Sequence, residues 1–527
     1  MFRQSLPLLA LTSLLLATPP AHADEHTAEL LNERCGGCHE PTDQGLARIK
    51  DQRKTPEAWD MTIVRMMQLH GVEVTAEERA GLVKHLADSQ GMAPAETEGF
   101  RYILEREPAV VETPPSDDLA TMCARCHSYA RVALQRRTQE EWTKLAHFHL
   151  GQYPTAEYQA LARDRNWWEI ASEQVPAELA ELYPLQTDAW DSWKDRPAPD
   201  LAGTWRFVGS VPGRGGYQGV ATLTATGDDG YDYALTTTYD DGHTADGQGS
   251  AILYSGFEWR SRTTIGDSVS LQVLALDADG NRLTGRSFYE DQDSLGGRMT
   301  VVRAAEGASQ VLALSPPYLR AGDSAEIAIH GIGLSGDVSL GDGVTIDSVV
   351  SSDANTIVVK ASAAADAAGG ARAASVGEAS ADGAFAVYQA IDRVSVEPAY
   401  AIARVGDGGG PVAPVPAQFA AVGWLNGPDG APETDDDIRL GAMPATFSIT
   451  DFDEVAADMK DVEYSGKMEA NGIFMPAAAG PNPDRPYQTN NAGNLKVIAA
   501  VEDGGQTLTG EGQLLVTVQR WNDPPIR

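Results

Sequence analysis

Only four cysteines occur in 527 residues. That scarcity excludes a disulfide-stapled scaffold of the kind small secreted domains use. Past the first two dozen residues, no run approaches the ~18–20 consecutive apolar residues that a membrane helix needs, so no membrane span is expected. Cationic residues are scarce too: 40 Lys and Arg face 75 Asp and Glu, a formal net charge of −35. Such a field repels nucleic-acid phosphates and anionic headgroups, which removes nucleic-acid and polybasic membrane roles. Gly-x-Ser-x-Gly, His-Glu-x-x-His and a convincing nucleophile triad are also missing. At roughly 100–200 residues per domain, the length predicts three to five domains rather than one compact fold.

Residues 1–23 read as an export address. Arg3 supplies the positive start, Leu8 to Leu16 a short apolar core, and Ala21-His22-Ala23 a cleavage site, giving an expected mature start at Asp24 and a periplasmic destination. An exported chain would commonly use its cysteines in disulfides. Here all four fall in two motifs, Cys35-Gly-Gly-Cys38-His39 and Cys123-Ala-Arg-Cys126-His127. C-x-x-C-H attaches c-type haem: residues i, i+3 and i+4 share a helical face, so two thiols meet the vinyl groups while the imidazole reaches iron. A thioredoxin-like dithiol would need a βαβ context that is absent, and a zinc knuckle would need the histidines by chance. Two covalent haems are therefore expected, with His39 and His127 as proximal ligands.

The helical region divides into two cytochrome c modules, 24–112 and 113–199, joined by the breaker-rich Thr113-Pro114-Pro115-Ser116-Asp117-Asp118. Each repeats a basic-Thr-x-x-x-Trp segment after its haem motif, Lys54-Thr55 to Trp59 and Arg137-Thr138 to Trp142. Thr followed by a carboxylate in the first turn marks a helix start, and Pro56 suits a first helical position. On those helices, at about 100° per residue, Met66 lies about 20° to one side of Trp59 and His70 about 20° to the other, while Met67 is about 80° away. From Trp142, His149 repeats the offset of Met66, whereas His147 is about 140° round. The facing argument selects Met66 and His149 as distal ligands and leaves Met67, His70 and His147 open; Met61 and Met92 could equally be core filler. A thioether raises haem potential relative to a second imidazole, so the two sites would be unequal. His26, His243 and His330 lack ligand-spaced neighbours, and His85 reads as a partly exposed helix residue.

Beyond about residue 195 the pattern changes to period-two alternation punctuated by Gly and Asp turns, which predicts all-β structure. Three antiparallel domains are expected: a barrel-like meander at 200–305 opening on Gly203-Thr204-Trp205, an immunoglobulin-like sandwich at 306–389, and a C-terminal sandwich at 390–527. The barrel is expected to be filled by its own side chains. Ala361 to Ser375, almost all Ala, Gly and Ser, reads as a loop or an edge. Gly213-Arg214-Gly215-Gly216 and Gly408-Gly409-Gly410 precede no helix and read as turns. Asp435-Asp436-Asp437 lacks the spacing and terminal Glu of an EF-hand and reads as an acidic loop.

This arrangement, tandem C-x-x-C-H modules with helices around Trp59 and Trp142 and then three β domains, resembles the alpha subunit of the quinohemoprotein amine dehydrogenases over essentially the whole mature chain. The resemblance implies two covalent haems on Cys35, Cys38, Cys123 and Cys126 with His39 and His127 proximal. It also implies a β-propeller subunit and a small subunit whose cysteine tryptophylquinone oxidises primary amines, with electrons leaving to a soluble cytochrome or copper protein. It does not decide Met66 or His149. If all four cysteines hold haem, none is left to build a cysteine-linked quinone here. Two other classes stay open: a di-haem peroxidase, which needs one haem with an open distal site, and a cell-surface binding protein whose β modules do the work.

Overall fold

The computed structural model describes residues 21–159, 164–211, 213–408 and 412–518. Residues 1–20 of the export address lie outside them, as do Gly409 and Gly410. A helical haem region is followed by three all-β domains.

Helix α1 (Ala21–Cys35) ends at the first haem motif. A short strand β1 (Gln52–Lys54) leads into helix α2 (Pro56–His70), with Thr55 at the N-cap and Pro56 in the first turn. Gly71, at φ 68°, stops α2 in the left-handed conformation that glycine adopts without penalty, and its N–H donates to the Met66 carbonyl. Helix α3 (Ala76–Ser89) starts with a reciprocal Thr75/Glu78 capping box. In the second module, helix α4 (Asp117–Cys123) is capped by Ser116. Strand β2 (Gln135–Arg137) precedes helix α5 (Gln139–Gln152), whose Thr138 cap accepts from the Glu141 N–H at 3.3 Å. The two haem helices thus begin at equivalent positions. Trp59 packs with Leu30, Ile63, Leu82 and Leu86, and Trp142 with Leu119, Tyr129, Val175 and Leu179, so each module has its own core.

What joins the modules is a two-stranded ribbon. β1 and β2 pair antiparallel across the linker, with Arg53 opposite Arg136. Both reach Glu96: Arg53 with two bonds of 2.9 Å and Arg136 through Nε at 3.0 Å. The Ala93 N–H and the Thr187 hydroxyl complete the carboxylate's bonds at 2.8 and 2.9 Å. Burial would raise this carboxyl, but the two guanidiniums overcome it and hold it down to about 2.

Eight strands, from Gly203–Val211 to Gly296–Arg303, form an up-and-down meander in which the last pairs with the first, Arg303 opposite Trp205. Closure leaves no free edge. Trp205, Phe207, Trp259, Leu274, Leu283 and Val301 fill the interior. A buried polar string crosses it, from Trp259 Nε1 to Ser261 at 2.9 Å and on to Gln272 at 2.8 Å. The remaining cavity is about 50 Å³, room for a few waters and far below the several hundred Å³ of a ligand pocket. The barrel grips the haem region through Arg260, which bonds Glu57 at the start of α2 and Glu258 beside it, and through Arg286, which donates to the Arg106 carbonyl at 2.7 Å.

The third domain is a sandwich of two four-stranded sheets, and the fourth combines one four-stranded with two three-stranded sheets. Two pairings depart from the antiparallel expectation. Tyr318–Arg320 runs parallel to Ala379–Tyr388, and Tyr400–Arg404 parallel to Gln506–Thr517. In both domains the chain crosses to the opposite sheet at Pro316 and at Pro398, and so runs beside the closing strand in the same direction. A second correction concerns Ala361 to Ser375, where only residues 364–369 form a loop. Thr356–Ala363 and Gly370–Val376 are interior strands. Their small side chains are what the position requires, because Ala361, Ala374 and Val376 are wholly buried between the sheets.

Candidate functional site

In the first haem motif the backbone continues as a turn that carries the histidine; in the second it continues as a bend. The His39 and Cys38 N–H groups both return to the Cys35 carbonyl, at 2.9 and 3.2 Å. None of the four cysteines is in a disulfide; Cys35 and Cys123 are partly buried, while Cys38 and Cys126 are exposed. Burial pushes the Cys35 thiol up and the Cys123 thiol up to about 12, so both stay protonated at neutral pH. A redox dithiol needs the opposite shift. Among the described residues no three His, Cys, Asp or Glu side chains cluster as a metal site of their own would require.

Both proximal candidates are oriented through Nδ1. His39 Nδ1 lies 3.0 Å from the Ala47 carbonyl, and His127 Nδ1 lies 2.9 Å from the Ser128 carbonyl. With that nitrogen donating, Nε2 keeps its lone pair for a metal. Burial holds His127 below the usual histidine range, which keeps it neutral. His149, on α5, is fixed in the same way, with Nδ1 2.8 Å from the Leu145 carbonyl. The His127 and His149 ring centroids lie 6.3 Å apart, with the ring planes inclined by 40°. Two metal–imidazole bonds of about 2 Å, plus about 1 Å from each nitrogen to its ring centre, give roughly 6 Å across one shared ion. The observed separation of the ring centres matches that figure. His147 instead packs edge-on against Trp168 at 4.9 Å.

Met66 is half-buried on α2; Met67 packs against the core cluster around Trp59; His70 is exposed at the helix end. Met61 is exposed, with its sulfur 3.2 Å from the Arg131 guanidinium, and Met92 is wholly buried. His243 stacks on Tyr239 and His330 bonds Thr356, so both are occupied on the β domains. The two haem helices touch where Arg65 lies over the Phe148 ring at 5.0 Å. Asp437 pairs with Arg393 and Asp436 accepts from Thr434, so the Asp435 to Asp437 loop is internally bonded.

The sequence repeat also acquires a physical reason. Lys54 lies over Trp59 at 4.7 Å and Arg137 over Trp142 at 5.5 Å, so the basic residue before each threonine caps the indole one turn on. The Glu96 clamp was invisible in the sequence, because its partners stand 43 and 40 residues away. A carboxylate inside the otherwise plain Ala93-Pro94-Ala95-Glu96 stretch was the only trace.

Four family models match the chain in succession. They are the haem-binding domain of the quinohemoprotein amine dehydrogenase A alpha subunit at residues 25–190, and that subunit's domains II at 198–304, III at 308–389 and IV at 394–526. Comparison with curated proteins finds no match. Among solved structures, a de novo designed fluorescence-activating β-barrel is 19% identical, covering 20% of this chain and 94% of that one, with TM-score 0.18. Drosophila N-cadherin EC1-4 is 10% identical, covering 62% and 95%, with TM-score 0.16. Both likenesses are too slight to bear on function.

Proposed function

Because the chain belongs to the quinohemoprotein amine dehydrogenase alpha-subunit family, we propose that it is the di-haem electron-transfer subunit of a periplasmic amine dehydrogenase. The observation that carries this reading is the close His127 and His149 pair, oriented through Nδ1 and spaced for one iron. Cys123 and Cys126 hold that haem, and Cys35, Cys38 and His39 hold the other, with Met66 as its distal ligand. Each haem, when bound, supplies a one-electron couple. The chain's own residues keep His127 neutral, aim the imidazoles through Nδ1, and leave one thiol of each pair partly buried and the second at the surface.

A primary amine gives up two electrons on oxidation, and two single-electron sites can drain them in succession from a quinone in a partner. That quinone, a cysteine tryptophylquinone, belongs to a separate small subunit, since this chain's four cysteines are committed to haem. A β-propeller subunit completes the assembly, and a soluble cytochrome c or copper protein takes the electrons onward. The paired histidines count against a peroxidase, which needs an open distal position.

The test is purification of the complex from its native source, haem and quinone staining of the separated subunits, and an electron paramagnetic resonance spectrum at rest. Two low-spin ferric haems on this chain, reduced on adding a primary amine, are expected. A high-spin haem that reacts with peroxide would refute the proposal, as would an unmodified chain with four free thiols.

A further inference from the structure

A carbonyl that accepts from a histidine Nδ1 aims the ring only if the carbonyl is itself held. A backbone C=O and the N–H of the following residue lie in one rigid plane and point opposite ways, so fixing the N–H fixes the carbonyl. In the second module the carbonyl is that of Ser128, 2.9 Å from His127 Nδ1. The N–H across the same peptide, on Tyr129, donates to the Glu112 carboxylate at 2.7 Å. The first module repeats the device with different residues. His39 Nδ1 lies 3.0 Å from the Ala47 carbonyl, and the N–H across that peptide, on Arg48, donates to the Asp51 carboxylate at 3.1 Å.

The two carboxylates come from unrelated places in the chain. Asp51 stands three residues after Arg48, whereas Glu112 stands 17 residues before Tyr129, so the order of bonds is shared and the spacing is not. Glu112 also accepts from the Ala130 N–H at 3.0 Å and from the Tyr102 and Ser128 hydroxyls at 2.6 and 2.5 Å. Burial would raise its carboxyl, but these bonds hold it below the usual carboxylate range, and it is ionised at neutral pH. Burial is overcome at Asp51 too, by Lys50 and the Arg48 N–H. Compensation is what differs. Asp51 is paired with the Lys50 ammonium at 2.7 Å, while the donors to Glu112 among the described residues are all neutral.

We infer that Glu112 and Asp51 are positioning residues for the two proximal imidazoles, each acting through one peptide plane to aim His127 and His39 and to strengthen the bond made by Nδ1. The inference rests on the haem reading above and deepens it. A charged acceptor on the N–H polarises the peptide, which makes its carbonyl a better acceptor and the imidazole a more basic ligand. A more basic axial ligand favours ferric iron. Glu112 therefore lowers the potential of the second haem, and Asp51, neutralised by Lys50, lowers that of the first by less.

The experiment uses the assembled complex with Glu112→Gln and Asp51→Asn, which keep the side-chain shape and remove the charge. Haem content comes from the pyridine haemochrome spectrum, the midpoint potential of each haem from spectroelectrochemical titration, and the g-values of each ferric haem from electron paramagnetic resonance. Counted along the bonds through peptide and imidazole, an axial iron lies roughly 12 Å from Glu112, where a unit charge at an effective dielectric near 20 changes the ferric–ferrous equilibrium about tenfold. That is about 59 mV for one electron. In Glu112→Gln the second haem alone should rise by this amount with altered g-values. In Asp51→Asn the first haem alone should rise, by less, because Lys50 turns to solvent once its partner is neutral. A charge acting only through space shifts the potential and leaves the g-values, which report the orientation and donor strength of the axial imidazole; that outcome would overturn the inference. So would haem-replete variants that lose stability while both potentials stay native. Should Glu112→Gln fail to retain haem, Asp51→Asn, whose carboxylate makes fewer bonds, decides alone. A native chain without covalent haem would overturn the haem reading itself, and the inference with it.

Discussion

Replacing Glu96 by Gln tests the junction between the haem modules. The carboxylate is 7% exposed and takes three bonds from Arg53 and Arg136, so the amide leaves two buried guanidiniums without a counter-ion. Breaking a buried pair from one side costs about 3–5 kcal/mol. Linkage gives an independent figure: a carboxyl lowered from 4.5 to about 2 contributes about 3 kcal/mol. Its folded value is depressed, so this stability is complete above the unfolded value of 4.5 and is lost as pH falls from there toward 2. Urea unfolding followed by the Soret band, which reports the haem region alone, is the assay. Glu96→Gln should lose about 3 kcal/mol at pH 7, and its deficit relative to the native protein should shrink toward nothing by pH 2. A deficit below about 0.5 kcal/mol at pH 7, or one that does not change with pH, would show that the clamp does not hold the modules together.

Other outcomes follow from single side chains. Cys126→Ser should leave the second haem on one thioether and Cys35→Ser the first, each seen as a shifted haemochrome band; unchanged spectra in both would refute covalent attachment. His149→Ala should open one coordination position and let added imidazole or cyanide bind at that haem alone, read from the appearance and loss of a high-spin signal. Glu258 has its carboxyl raised by burial to about 7 despite Arg260, so its folded value exceeds the unfolded 4.5. Stability from this group is present below 4.5 and declines as pH rises toward 7. Glu258→Gln should remove that part of the slope in denaturation measured between pH 4.5 and 7.

What the sequence made legible was local. Thr55 and Thr138 announce helix starts because a cap acts within one turn, and each C-x-x-C-H carries its geometry in five residues. The barrel was readable because a meander pairs neighbours in order, from Gly203–Val211 onward. What stayed hidden is long-range. Nothing about Lys54 or Arg65 shows that they meet at Thr62, or about Arg53 that its counter-charge stands 43 residues on. Gly370–Val376 hid for another reason: its propensity is wrong for a strand, and only the tight gap between two sheets makes Ala374 the right occupant. Met66 stays undetermined by pattern because Met67 and His70 share its stretch of helix.

The ribbon of Gln52–Lys54 against Gln135–Arg137 has one more implication. It is a rivet between duplicated halves, and the Glu96 knot locks it from behind. Any breathing of one half against the other would have to shear both. If each half carries a haem, as proposed, the ribbon and the knot tie the spacing of the two centres to the fold, and traffic between them would be governed by their relative appetite for electrons.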